Sequence, residues 1–339
     1  MKTEKNKFDA GAFFEDSDLS GKIFCSCAAC MSVYSEFLSW ANAHPDRMTE
    51  NPEESNNIVV LSCQVTDLAV LNDLRTLEMY MAAFPGKRFF IGGCLAKRFD
   101  IELPEGVGRL DSFYSDRTFI ENFNLVNYEK PFWVPEFKED SPPLLPGHLF
   151  RKSYPLRIGV GCEGSCTYCT IRTTRGPYRE ITPAKFEFDY ADNIVLIADN
   201  PSEEQLIYWC DKAQKDKKPI SLRNVEPKTA VKVMYPLVFL SKHGLLKHFH
   251  CPIQHTDKLA LQAMGRKTDD VKIVRMLSRI LRTLGVITAT NIIIDYLHFK
   301  NPENLNAEFD YISWNPYWDG VWNRGKAEER FKLYIGELP

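Results

Sequence analysis

Short apolar runs alternate with longer amphipathic stretches through most of the chain. In the first third, the runs Lys22–Ser26, Asn57–Ser62 and Arg88–Gly93 have the length and the β-branched or aromatic content of strands. Helix-like patterns fill Ser32–Ala43 and Ala69–Ala83 between them. This βαβ alternation predicts a parallel sheet. A second series starts at Leu156–Val160 and continues through Ile194–Ala198, Ile220–Val225, His248–Ile253 and Val286–Ile294. Helical stretches separate these runs at Glu203–Gln214, Thr229–Ser241, Leu259–Met264 and Val271–Leu284. Prolines and a glycine in Ser141–Gly147 interrupt any regular element between the two series. The expected class is α/β. Residues 1–20 form a tail, 21–140 a parallel-sheet domain, 141–150 a linker and 151–297 a core of repeated βα units. The closing stretch, 298–339, is rich in aromatics from Tyr311 to Tyr334. It reads as a cover for the barrel or the domain interface, or as a wall of a substrate cavity.

Composition narrows the class. At 44% hydrophobic and 26% charged, the 339 residues are those of an ordinary globular protein. No apolar run reaches the roughly 20 residues of a membrane span. The first 20 residues mix charges and lack the apolar core of a signal peptide. The expectation is a cytoplasmic protein with no membrane partner. A net charge of −3 gives no global basic signature for nucleic acid. Ten cysteines then need a reason, because the reducing cytoplasm disfavours disulfides.

Their spacing supplies one. Cys162, Cys166 and Cys169 follow C-x3-C-x2-C, directly after an apolar run. Gly161 and Gly164 permit the turns a cluster-wrapping loop needs. Three thiolates on one loop ligate three irons of a 4Fe-4S cubane and leave the fourth open. An open iron can chelate S-adenosylmethionine (SAM) and donate the electron that cleaves it to a deoxyadenosyl radical. Zinc is the rival reading, but zinc prefers four ligands, often as two pairs. Tyr168 stands where enzymes of the radical SAM kind carry an aromatic.

Three further cysteines end or follow the N-terminal strands: Cys27, Cys63 and Cys94. Ligands of parallel sheets gather at the carboxyl ends of strands, so these three converge. Cys25 and Cys30 compete with Cys27 as the first ligand. Here the chain resembles the methylthiotransferases, radical SAM enzymes that insert sulfur and a methyl group into tRNA or a ribosomal protein. Ser62-Cys63 resembles that family's N-T-C, and Gly93-Cys94-Leu95-Ala96 its G-C-L-A. Cys27 aligns with G-C-x-x-N, with Cys30 in place of asparagine. Further along, Arg175-Gly176 with Arg179 resembles R-G-x-x-x-R, with the second arginine one place early. The strand ending in Glu226-Pro227 resembles the family's E-P turn. The stretch from Pro252 to Asp257, with Leu261, Met264 and Arg266, resembles P-x-Q-S-G-S and L-x-x-M-x-R. Together these motifs span residues 20 to 295.

For residues 151–297 the resemblance implies the open, partial (β/α)6 barrel of radical SAM enzymes. It implies two 4Fe-4S clusters, one on Cys162, Cys166 and Cys169 and an auxiliary one on Cys27, Cys63 and Cys94. It implies SAM as second cofactor, with Glu226, Gln254 and Arg266 as its contacts. The substrate is then a tRNA base or a peptide or protein side chain, and an external flavodoxin- or ferredoxin-like protein supplies electrons. Two features depart from the family. Tyr296 to Phe299 stand where it has a G-F-P-G-E-T loop, and too few residues follow the core for its C-terminal TRAM barrel. Other readings are an auxiliary cluster that only passes electrons, and an iron-sulfur binding module without catalysis. Arg172, Arg175 and Arg179 read either as a site for phosphate or peptide carboxylate, or as a solvated loop with ion pairs.

Overall fold

The computed structural model describes residues 20–27, 32–33, 35, 45–110, 153–181, 192–302 and 305–334. Residues 1–19 of the tail, the 141–150 linker, Cys30 and nearly all of the predicted Ser32–Ala43 helix lie outside these residues.

Two parallel sheets carry the chain. The first holds β1 (Ile23–Cys27), β2 (Asn57–Ser62), β3 (Arg88–Gly93) and β4 (Val107–Arg109), in that spatial order. Helix α1 (Asp67–Ala83) makes the crossover between β2 and β3. Thr66 caps it by accepting a hydrogen bond from the Ala69 N–H at 3.1 Å. All six residues of β2 are buried, as expected for a strand covered on both faces.

The second sheet runs β5 (Ser153–Arg157), β8 (Asn193–Ile197), β9 (Ile220–Arg223), β10 (Leu246–His250), β11 (Ile287–Ile294) and β12 (Tyr311–Pro316). Every neighbouring pair is parallel. Strands added one after another in one direction, with right-handed crossovers, put all their connecting helices on one face. The other face is left to curl inward. This is the topology of an open (β/α)6 unit, and one continuous core from Leu156 to Phe309 fills it.

Several boundaries differ from expectation. The first core strand begins at Ser153, because Pro155 is tolerated on an edge strand. Gly159–Val160 instead forms β6, which pairs antiparallel with β7 (Arg179–Glu180). The predicted helix Thr229–Ser241 is two helices, Pro227–Lys232 and Met234–Lys242, that meet at Val233. The aromatic C-terminal stretch supplies the sixth strand, β12, and then a helix, Arg324–Tyr334. No helix among the described residues is long and apolar enough to cross a membrane.

Candidate metal centre and cofactor cleft

The C-x3-C-x2-C loop lies between β6 and β7 and is held at several points. Gly161 adopts φ +86°, and a Cβ there would fall 2.2 Å from the Pro177 carbonyl oxygen. No other residue type fits. The Cys162 N–H donates to the Gly176 carbonyl at 3.2 Å, which closes the loop at its base. The Gly164 N–H donates to Cys162 Sγ at 3.1 Å. Glu163 accepts the Tyr178 N–H at 3.0 Å. Thr167 donates from its hydroxyl to the Ala263 carbonyl at 2.8 Å, so the helix Lys258–Ala263 braces the far side.

Cys162 and Cys166 are half-buried and Cys169 is exposed. Burial pushes the Cys162 thiol above its ordinary pKa, opposed by the Gly164 N–H and Asn200 and reinforced by Glu226 and Cys166. A thiol so placed keeps its proton until a cation's charge replaces it. Among the described residues, no three Cys, His, Asp or Glu side chains gather as tightly as one metal ion requires. A cubane spreads its thiolates over separate irons and suits a wider triangle.

A cleft of about 470 Å3 opens beside this loop, lined by Cys166, Glu163, Asn200, Glu226 and Arg266 among others. Glu226 stands at the start of the helix after β9, and its carboxylate accepts from Asn200 Nδ2 at 3.3 Å. Arg266 donates from Nε to the Tyr168 hydroxyl at 3.0 Å and from Nη1 to the Pro252 carbonyl at 2.9 Å. It therefore anchors the loop's aromatic, and among the described residues it makes no surface ion pair. Gln254 does not line the cleft. It follows β10 with φ +70°, its backbone bonded to Asn291 and Ile293. Asn224 after β9 and Asp295 after β11 are also left-handed, at +60° and +57°. Strained backbone thus marks three consecutive strand ends on the side where ligands of such sheets bind.

The cysteines expected to hold the auxiliary cluster sit at the corresponding ends of the first sheet. Ser62 of β2 pairs with Gly93 of β3, so Cys63 and Cys94 follow at the same height. Gly93 has φ +81°, and a Cβ would lie 2.6 Å from the Ser62 carbonyl oxygen. Cys27 closes β1 opposite Leu61, two positions before Cys63, and Cys25 lies two positions lower still, opposite Val59. The Cys63 N–H donates to Asp73 Oδ2 at 2.6 Å. Burial raises that carboxyl to about 7, against the lowering effect of the same N–H.

Two contacts join the Cys63 and Cys94 turns to the C-x3-C-x2-C loop and the helix after it. Gln64, next to Cys63, donates from Nε2 to Thr170 Oγ1, next to Cys169, at 3.3 Å. Arg175 donates from Nη2 to Cys94 Sγ at 3.6 Å. Its Nη1 lies 3.8 Å from Asp199 Oδ2, which also takes Arg157 Nη2 and the Gly161 N–H, each at 2.9 Å. Arg175 is only 6% exposed, so it is not on a solvated loop, though it has the ion pair, to Asp199, that this reading expected. Asn200, Asp199 and Asp73 were missed from the sequence, where nothing in their local pattern sets them apart. Cys210 and Cys251 are packed in the core.

No protein-family model matches the chain. Curated homologues are ribosomal protein uS12 methylthiotransferases, RimO, which belong to the radical SAM enzymes. That of Carboxydothermus hydrogenoformans is 25% identical over 77% of this chain and 65% of its own length. That of Petrotoga mobilis is 25% identical over 71% and 60% respectively. That of Clostridium botulinum strain Okra is 24% identical over 83% and 68%. The chain thus spans about 60–65% of the length of the first two. Among solved structures, the radical SAM methyltransferase TsrM of Kitasatospora setae covers 87% of this chain and 74% of its own at 7% identity and TM-score 0.44. That likeness is too slight to carry the fold, which rests on the strand order.

Proposed function

We propose that this homologue of the radical SAM methylthiotransferases inserts a methylthio group at an unactivated C–H bond of a polypeptide side chain. The observation that carries the reading is the shared interface, with Gln64 on Thr170 and Arg175 on Cys94. A sulfur donor and a radical generator must face one substrate, and these contacts support that arrangement by joining the Cys63 and Cys94 turns to the loop and helix of Cys169 and Arg175. The homologues' names favour a ribosomal protein over tRNA as the substrate class.

In this reading Cys162, Cys166 and Cys169 hold the radical cluster, and Cys27, Cys63 and Cys94 hold the auxiliary one. The strand register favours Cys27 over Cys25, which lies deeper along β1. The donor sets suit such clusters, since each offers three thiols and so leaves one iron open. When bound, the clusters would supply the electron that cleaves SAM and the sulfur that the substrate captures, while a second SAM supplies the methyl group. The chain's own residues do the positioning. Gly164 donates a hydrogen bond toward the Cys162 sulfur. Glu226 and Arg266 line the cleft beside Cys166 and would orient SAM there, while Gln254 stands outside that cleft. An external flavodoxin- or ferredoxin-like protein delivers the electron.

The test is mass spectrometry of ribosomal-protein and tRNA digests from cells with and without the chain. A peptide gaining SCH3 in place of hydrogen is expected. Sulfur gained by a tRNA base would move the substrate to nucleic acid. Deoxyadenosine formed with no sulfur added to either pool would leave an electron-transfer role for the auxiliary site.

A further inference from the structure

Arg175 ends the short helix Ile171–Arg175, six positions after Cys169, yet its guanidinium reaches the other sheet. Its two outer nitrogens have different partners. Nη2 points at Cys94 Sγ at 3.6 Å and Nη1 faces Asp199 Oδ2 at 3.8 Å. Asp199 is itself fixed by Arg157 and by the N–H of Gly161, the residue before Cys162. One buried chain of contacts therefore runs from the Cys94 sulfur, through Arg175 and Asp199, to the turn that starts the radical loop. The Asp199 contact of Arg175, at 3.8 Å, is longer than that of Arg157 at 2.9 Å, and Arg175 places its second outer nitrogen within hydrogen-bond reach of the sulfur.

We propose that Arg175 is a positioning residue that tunes the auxiliary cluster through the Cys94 sulfur, and that Asp199 holds it there. The inference rests on the two-site reading above. A hydrogen bond from a buried cation to a ligating sulfur stabilises the more negative, reduced state of a cluster. Its charge is weakly screened at this depth. Arg175 therefore raises the auxiliary reduction potential, and the Asp199 link keeps the two cysteine sites in fixed register.

The experiment uses the full chain in a Cys162/Cys166/Cys169→Ala background, so that any remaining cluster is auxiliary. Iron and sulfide content are measured first. The midpoint potential is then titrated with dithionite, which adds one electron to the cluster and breaks no bond. Arg175, Arg175→Lys and Arg175→Met are compared. Methionine should shift the potential clearly to more negative values. Lysine keeps the charge without the two-pronged fork and should fall between. Equal potentials in all three, with iron retained, overturn the tuning role and leave the two-site reading intact. Absence of iron in the Arg175 background sinks the two-site reading, and this inference with it. Should Arg175→Met lose its iron, Arg175→Lys decides alone: a lowered potential supports the proposal and an unchanged one overturns it. A purely structural arginine would alter melting but not the potential.

Discussion

His250 stands on β10 inside the second sheet, fully enclosed. Its Nδ1 accepts the Asn224 N–H at 3.2 Å, so the ring proton sits on Nε2 and donates to Asn291 Oδ1 at 2.9 Å. Burial first, then Arg223, lowers its pKa to about 3. Burial, Arg223 and Lys247 lower that of His248 to about 4. An unfolded histidine titrates near 6.5. Below that pH the unfolded chain takes up protons that the folded one refuses. The stabilisation is therefore complete above about 6.5 and is lost as pH falls toward 3, at up to about 1.4 kcal/mol per pH unit for each histidine. His250→Gln should flatten this slope by one histidine's share in urea unfolding measured from pH 7 to 4. An identical slope would count against the buried neutral tautomer. Residues of this kind divide by how local their cause is. The cysteine loop was legible because its ligand spacing lies within eight positions of sequence. Arg175 was not, because its sulfur partner is 81 positions away. The left-handed Gln254 was likewise hidden, since its bonds to Asn291 and Ile293 come from the neighbouring strand.

At the scale of elements, the C-terminal segment does two jobs that its aromatic content left open. Strand β12 completes the second sheet against β11 along six residue pairs. The chain then crosses to the first sheet, where Trp318 and Trp322 pack on the cluster of Ile91, Leu95 and Ile101. Arg98, four positions after Cys94, stacks 5.1 Å from the Trp318 ring and donates to the Gly320 carbonyl at 2.7 Å. The helix Arg324–Tyr334 lies on α1, with Arg324 gripping Glu78 through two bonds of 2.7 and 2.9 Å. Its Arg330 meets the buried Asp67 at 3.0 Å. The segment therefore straps the two sheets together, and packing carries more of the strap than charge. Trp318→Ala should cost about 2 kcal/mol in urea unfolding, less than the roughly 3–5 of a fully buried aromatic. Arg324→Ala, at an exposed pair, should cost less than about 1 kcal/mol. The reverse ranking would mean that the ion pairs hold the strap. Periodicity placed most strands of both sheets, because their buried runs are continuous. It missed β12, whose residues at a sheet edge are half-buried, or exposed at Trp314, and so lack that signature.

For the whole molecule, the two cysteine sets stand on separately packed frames. The C-x3-C-x2-C loop is fixed to the second sheet by Asp199, Ala263 and Gly176. The Cys63 and Cys94 turns are fixed within the first sheet by Asp73 and by the β2–β3 register. Each frame has its own apolar cluster, one centred on Leu196, Leu222 and Phe249, the other on Val70, Leu74 and Ile91. Among the described residues, polar contacts at Gln64 and Arg175 and the C-terminal strap cross between them. Emptying one site should therefore leave the other able to load. Two cubanes would bring the reconstituted chain to about eight irons, and either Cys→Ala triple variant to about four. The Cys27/Cys63/Cys94→Ala variant should still cleave SAM to deoxyadenosine, because its radical loop and cleft are untouched. It should form no methylthio product, because the substrate radical would meet no sulfur. Iron analysis beside a joint assay of both products checks this. A wild-type content near four irons would refute the two-site arrangement. Undiminished methylthio product from the Cys27/Cys63/Cys94→Ala variant would instead remove the auxiliary site as the sulfur donor.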